Sequence, residues 1–105
     1  MKKIELDQTR EFNPLGMKSI ILHDSEHFKI LNFNIMGGSI FPLHSHDLDG
    51  QVSILVIEGE GAFLADNDEV VPAKVGDLLV CDIREPHGVR ADTDMRIVVH
   101  IAPPI

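Results

Sequence analysis

The chain has 105 residues but no tryptophan, no tyrosine and a single cysteine, Cys81. One cysteine cannot form a disulfide within the chain, so we expect a reducing, cytoplasmic location and a thiol that serves as a small buried hydrophobe. Basic side chains are scarce as well, because 9 lysines and arginines stand against 17 aspartates and glutamates, for a formal charge of −8. Since phosphate binding relies on clustered Lys and Arg, we expect no nucleic-acid partner.

Long apolar runs are also missing from the sequence. No stretch reaches the length that a membrane-spanning helix needs. Near the N-terminus, Lys2 and Lys3 are followed by Glu5 and Asp7 rather than by an apolar segment, so no signal peptide is expected. We therefore expect no membrane partner.

Hydrophobic residues make up 44% of the chain, a share that is ordinary for a folded globular protein. The length is that of one domain, and we expect a single domain over residues 1–105. Residues 1–16 contain the breakers Pro14 and Gly16. They are compatible with a short N-terminal arm or with an edge strand, and the sequence leaves both open.

Short strands separated by turn residues are predicted from residue 17 onward. Leu31, Phe33 and Ile35 alternate with polar residues, as in a half-buried strand, and Asp49-Gly50 is a turn signal. The expected strands cover residues 17–22, 27–36, 39–46, 52–58, 62–65, 69–71, 78–81, 88–90 and 95–102. Strands spaced by about ten residues, with no amphipathic helix between them, predict an all-β antiparallel barrel or sandwich, of which the jelly roll is one form.

Two histidines, His44 and His46, lie one residue apart just before a turn at residues 47–50. Residues two apart in a β-strand point to the same face, so both imidazoles would aim at one place. Two neutral imidazoles on one face are a typical start of a transition-metal site. A bare His-x-His also occurs as two surface histidines beside a loop, and the pair alone leaves both interpretations open.

Another histidine, His87, lies in a second sequence motif in the C-terminal half. Gly76-Asp77 precedes a predicted strand, and Glu85-Pro86-His87-Gly88 follows it. In the first half, Gly38 is followed by five residues and then by His44-Ser45-His46. Taken together, the two frames resemble the two motifs of the cupin superfamily.

The resemblance spans about residues 30–102, with motif frames at residues 38–59 and 76–91. It implies a single antiparallel β-barrel of the cupin, jelly-roll type whose interior holds one divalent transition metal: Fe, Mn, Ni, Zn or Cu. His44, His46 and His87 would bind this ion. Three or four protein ligands would leave positions for water or for a small-molecule substrate.

The acidic ligand that usually completes the first motif is absent. Counting forward from His46 places Gln51 at that position, whereas counting back from Gly59 places Val52 there. A β-bulge or a longer turn would absorb the additional residue and let Gln51 face inward as a neutral oxygen ligand. We expect Gln51 to be the fourth ligand. The alternative register turns Val52 toward the ion and leaves three histidines.

Two more side chains are candidates for the pocket. His100 is in phase with Val98 and Ala102, and it would reach the interior if that face lines the barrel, as a partner of a ligand or a proton shuttle. Arg84, which stands where the second motif usually has a glycine, could hold a substrate carboxylate. The ordinary alternative for His100 is a core or surface histidine whose hydrogen bonds are made within the protein. For Arg84 it is an ion pair at the surface.

The resemblance implies a metal-dependent enzyme that acts on a small oxygenated or carboxylated molecule. The alternative is a non-catalytic, metal-containing module that binds or senses a small ligand, which the missing acid favours. No general base can be identified in the sequence. Single cupins commonly pair through apolar strands, and Ile20, Ile21 and Leu22 would form such a strand, so we expect a homodimer.

Overall fold

The computed structural model describes residues 1–105 and contains nine strands. They form a five-stranded sheet in the order β1-β2-β9-β4-β7 and a four-stranded sheet in the order β3-β8-β5-β6. All pairings are antiparallel. The strands are β1 (Met17–Asp24), β2 (Lys29–Ile35), β3 (Ile40–His44), β4 (Gln51–Glu58), β5 (Glu60–Ala65), β6 (Val70–Lys74), β7 (Leu78–Asp82), β8 (His87–Ala91) and β9 (Met95–Ala102).

This arrangement confirms the predicted all-β jelly-roll class, and all nine expected strands are present with small shifts of their ends. Two local features were not predicted. A short 3-10 helix, Leu6–Thr9, lies in the N-terminal segment, and β3 ends at His44, so that His46 lies in the following loop. The structure contains no helix whose length and hydropathy would let it cross a lipid bilayer.

The core lies between the two sheets, because each strand turns alternate side chains inward. On β9 the inward residues are Met95, Ile97, Val99 and Ile101, all buried. Phe63 and Val89 meet them from the smaller sheet. The core is therefore apolar, and its packing does not depend on any bound group.

Cys81 packs against this core from β7 as a half-buried side chain. Burial, together with the nearby carboxylates of Glu85 and Asp82, raises the pKa of the thiol to about 11. A thiol with this pKa stays protonated near neutral pH and is a poor nucleophile. The placement agrees with the expected role of a small hydrophobe.

A buried polar network lies on the opposite, outer face of the larger sheet. Arg96 is only 4% exposed, and it donates hydrogen bonds to Asn34 Oδ1 at 2.9 Å and to the Leu6 carbonyl oxygen at 2.6 Å. Asn34 Nδ2 in turn donates to the carbonyl oxygens of Thr9 and Glu11 at 2.7 and 2.8 Å. The network therefore fixes residues 6–11 against the outer face of β2 and β9, as an arm rather than as an edge strand.

We predict that Arg96→Met destabilises the protein by about 2–4 kcal/mol, because the Leu6 carbonyl oxygen and the side-chain oxygens of Asn32 and Asn34 would lose their charged donor inside a buried network. Arg90→Met is the matched control. Arg90 pairs with Asp92 on the surface, and such pairs contribute about 0–1 kcal/mol. Urea unfolding of both variants measures the difference, and equal losses would show that the network contributes no more than a surface pair.

Candidate metal centre and cavity

A cavity of about 330 Å³ opens between the two sheets. Its wall has 15 residues, 11 of them hydrophobic, and its polar side chains are the imidazoles of His44, His46 and His87. The larger sheet contributes most of the aliphatic wall. These side chains are Leu31, Val52, Ile54, Ile97, Val99 and Ile101.

His44 and His87 are brought together by strand pairing. The two residues are direct Cα partners in the antiparallel ladder between β3 and β8. Directly opposed side chains on one face of such a ladder are in contact distance, and the two ring centroids lie 4.4 Å apart. Gly88 permits this close approach, since a Cβ there would lie 2.6 Å from the Phe41 carbonyl oxygen.

A β-bulge turns both Phe41 and His44 toward the cavity. The register of β3 against β8 shifts between these two residues, which are three apart and would face opposite sides of a regular strand. Pro42 lies in the bulge, where its missing N–H removes no ladder bond. The Phe41 and His44 rings stack at 4.7 Å with an interplanar angle of 14°, so the phenyl ring restricts how the imidazole can turn.

His46 approaches the pair from the loop after β3 rather than from a strand. Its backbone N–H donates to the Ile83 carbonyl oxygen at 3.1 Å, which ties the loop to the turn that precedes β8. The ring centroids of His46 and His44 lie 5.9 Å apart, and the His46 side chain is exposed. The same-strand argument for the His-x-His pair was therefore wrong in its geometry, although the three imidazoles do line one cavity.

The hydrogen bonds of two imidazoles determine which ring nitrogen is available. His44 Nδ1 lies 3.1 Å from the Pro42 carbonyl oxygen, and His87 Nδ1 lies 2.7 Å from the Glu85 carbonyl oxygen. A carbonyl oxygen can only accept, so each Nδ1 carries the proton and each Nε2 keeps its lone pair. This is the tautomer in which an imidazole can bind a metal ion through Nε2.

His87 is the buried member of the three, at 6% exposure. Burial lowers its pKa, and His44 and His46 lower it further, against the opposing effect of its hydrogen bond to the Glu85 carbonyl oxygen. The His87 imidazole therefore remains neutral to a lower pH than a free histidine. A neutral ring is the form that can act as a metal ligand.

Gln51 does not join the three histidines. Its side chain is exposed, and Nε2 donates to Asp82 Oδ1 at 3.3 Å on the outside of the barrel. Val52 faces the cavity instead and is 4% exposed. The additional residue of the motif lies in the loop before β4, so the register of β4 is the one obtained by counting back from Gly59. The expectation that Gln51 faces inward is not met.

His100 and Arg84 also lie outside the cavity. Ile97, Val99 and Ile101 line it, so the alternate face of β9, with His100, points outward, and His100 Nδ1 lies 3.2 Å from Ser53 Oγ. Arg84 is exposed and forms ion pairs with Asp47, at 3.0 Å, and with Asp49. It thereby links the loop of His46 to the turn before His87, as a surface ion pair rather than as a residue of the pocket.

No group of three or more His, Cys, Asp or Glu side chains already has the geometry of a metal-binding cluster. Two imidazoles on one ion, with metal–nitrogen distances of about 2.0–2.1 Å, have ring centroids about 4.5–5.2 Å apart when the angle between the two bonds lies between a right angle and the tetrahedral value. The His44–His87 separation of 4.4 Å is close to this value, and the His44–His46 separation of 5.9 Å exceeds it. His46 is therefore the ring that would have to move.

The cavity wall was not predicted from the sequence as a functional surface. The signal was present in β9, where Ile97, Val99 and Ile101 alternate with Val98 and His100. That alternation shows two faces but does not say which face is the inner one. The packing of Ile97, Val99 and Ile101 against the smaller sheet settles it.

Comparison with known proteins agrees with this architecture. A family model described as the cupin domain matches residues 32–101. No curated protein sequence matches the chain. The crystal structure of an RmlC-like cupin protein from Desulfovibrio desulfuricans is 46% identical, with a TM-score of 0.96, and the match covers 100% of this chain and 99% of that one.

Two more distant structures share the fold. Ectoine synthase from P. lautus is 23% identical, with a TM-score of 0.79, and the match covers 100% of this chain and 80% of that one. KdgF from Halomonas sp. is 19% identical, with a TM-score of 0.75 and coverage of 90% and 85%. The family model spans two thirds of the chain, and the 46% identical relative spans all of it; the chain belongs to the cupin family.

Proposed function

We propose that the cavity binds one divalent transition-metal ion through His44, His46 and His87, with a small molecule beside it. The observation that carries this proposal is the convergence of three imidazoles on one apolar cavity, two of them with Nδ1 held by a backbone carbonyl. Such an outer hydrogen bond is the usual arrangement of a ligating histidine. Neutral imidazole suits Fe, Ni, Zn and Cu, whereas Mn prefers oxygen ligands and is less favoured at a site of three histidines.

Gln51 is left out of this site, because its side chain lies outside the cavity. A site with three neutral ligands leaves the full charge of a divalent ion uncompensated by protein. A bound ion would polarise an oxygen atom of the small molecule. The apolar wall would exclude water from the same space, which strengthens this interaction.

We propose that the protein is a metal-dependent enzyme for a small oxygen-containing molecule, in keeping with the fold that it shares with ectoine synthase. A non-catalytic binding or sensing module is the second candidate. One observation favours it, since the cavity has no carboxylate, lysine or hydroxyl side chain that could act as a general base. Once a ligand is known, NMR of that ligand after incubation with metal-loaded protein separates the two: an enzyme converts it, whereas a binding module returns it unchanged.

We propose a cytoplasmic location on the basis of the single cysteine. Cys81 has no partner for a disulfide within the chain, and its thiol is held protonated by burial. A free thiol of this kind is compatible with a reducing compartment.

We predict that His46→Ala lowers Ni²⁺ affinity by at least about tenfold, since it removes one of three ligating nitrogens. The fold should remain, because the core is apolar and does not include His46. Isothermal titration calorimetry measures the affinity, and circular dichroism checks the fold.

His100→Ala and Gln51→Ala are the matched controls for this test. Both side chains lie outside the cavity, so both variants should bind Ni²⁺ like the parent protein. A loss of affinity in Gln51→Ala would restore Gln51 as a ligand. Full affinity in His46→Ala would remove His46 from the site.

We predict that Ni²⁺ affinity is constant above about pH 7 and falls as the pH drops below about 6.5, because protons then compete for the imidazole nitrogens. The lowered pKa of His87 lets this ligand compete to a lower pH than a free histidine. Titrations at three pH values measure the effect. Affinity that persists down to the range in which carboxylates titrate would indicate a site built from Asp and Glu instead.

We propose that the protein forms a homodimer through the edge strand β1. Ile21 is 59% exposed on this strand, and an exposed apolar edge favours pairing with a second copy. We predict a dimer by light scattering at micromolar concentration and a shift toward monomer in Ile21→Lys. Val80→Lys, equally exposed but on β7 at the opposite edge of the larger sheet, is the control; a parent monomer, or equal behaviour of the two variants, would contradict this interface.

A further inference from the structure

The cavity wall differs from the surface of the protein in having almost no hydrogen-bonding side chains. Apart from the three histidines, its residues are aliphatic or aromatic, together with one glycine, Gly88. No Ser, Thr, Asn, Gln, Arg, Lys, Asp or Glu lines it. All the side-chain polarity of the cavity is therefore concentrated at the three imidazoles.

The polar end and the apolar part of the cavity come from different elements. His44 and His87 lie on neighbouring strands of the smaller sheet, and His46 lies in the adjoining loop. The aliphatic wall comes mainly from the larger sheet, where Ile97 and Val99 lie on its middle strand. A bound molecule therefore meets imidazole on one side and hydrocarbon on the other.

The distribution of polar and apolar side chains in the cavity decides which molecules can be buried there without a cost in free energy. A hydroxyl group taken out of water into an apolar space costs free energy unless it finds a hydrogen-bond partner. A sugar or polyol carries one hydroxyl on almost every carbon, and the wall around Ile97, Val99 and Ile101 has no side chain to receive them. A hydrocarbon body loses nothing there and is favoured by about 25 cal/mol for each Å² removed from water.

We propose that the ligand or substrate of this cavity is a small molecule with an apolar body and a single oxygen-bearing head, the head meeting His44, His46 and His87. The proposal rests on the proposed function for the role of the head, and on the wall alone for the nature of the body. It narrows the class from oxygenated molecules in general and removes sugars and polyols from it.

The volume of the cavity limits the size of the apolar body of the ligand. The cavity volume of about 330 Å³ equals the volume that roughly ten molecules occupy in liquid water, at about 30 Å³ each. A straight chain of about six carbons or one six-membered ring with its head is of this order. Larger molecules would have to extend through the mouth, past the exposed His46.

The test compares two six-carbon chains that differ only in their hydroxyl groups, 1-hexanol and sorbitol, together with ethanol and 1-butanol. Methyl NMR of the Ile, Leu and Val side chains reports binding to the parent protein. We expect the affinity to rise about two- to fourfold for each added CH₂, because each one buries apolar area. Sorbitol should bind at least about tenfold more weakly than 1-hexanol. Equal affinity for both, or no dependence on chain length, would overturn the proposal.

A cavity-filling variant shows whether the probe occupies this space. Val52→Phe places a larger side chain in the cavity, where Val52 is 4% exposed, whereas Val80→Phe adds the same atoms at a position that is 59% exposed. Val52→Phe should lower 1-hexanol affinity at least about tenfold, and Val80→Phe should not change it. If Val52→Phe fails to fold, nuclear Overhauser contacts between 1-hexanol and the methyl groups of Ile97 and Val99 in the parent protein show whether the alcohol occupies the cavity. The absence of these contacts would overturn the proposal.

The same titrations with and without Ni²⁺ separate this proposal from the metal site. If Ni²⁺ does not bind the histidines but the alcohol series binds metal-free protein with the expected dependence on chain length, the metal site fails and the apolar ligand class stands. If Ni²⁺ binds but sorbitol equals or exceeds 1-hexanol, the metal site stands and the apolar ligand class fails.

Discussion

The antiparallel pairing of β3 with β8 is the constraint on which the candidate site depends. It makes His44 and His87 direct partners, although they are far apart in sequence, and it holds their rings 4.4 Å apart. The bulge that turns Phe41 inward beside His44 is part of this pairing, and Gly88 permits it, because a side chain there would collide with the Phe41 carbonyl oxygen. A change that separated these strands would separate the imidazoles, whatever happened to the loop that holds His46.

The strands and their two faces could be predicted from the sequence because side chains in a β-strand alternate with a period of two. Loops have no such period. The additional residue before β4 therefore left Gln51 and Val52 as alternatives, and a shift of one residue exchanges the inner and outer faces of a whole strand. The same ambiguity applied to His100, since periodicity gives the phase of β9 but not which of its two faces is the inner one.

The buried network of Arg96 could not be predicted for a different reason. Its partners are Asn34 on a neighbouring strand and, in the N-terminal arm, the Leu6 backbone carbonyl and the Thr9 side-chain hydroxyl. No local pattern links these segments. An arginine in a strand is predicted to be exposed unless a segment that covers it is known. Contacts of this kind depend on the tertiary structure, which is why the N-terminal segment was left between an arm and an edge strand.

The two polar regions of the protein are separated by the larger sheet, and this separation has a consequence for function. Arg96 and its partners lie on the outer face and hold the arm, whereas the histidines lie on the inner side and contribute to no such network. The apolar core therefore does not depend on the histidines. The Nε2 atoms of His44 and His87, whose Nδ1 atoms are held by backbone carbonyls, stay available for a ligand. Members of one fold family differ in their chemistry through the side chains of the site rather than through the fold. Here those side chains combine three imidazoles with an otherwise hydrocarbon wall. The cavity can therefore distinguish small molecules mainly by how few polar groups the body of the ligand carries.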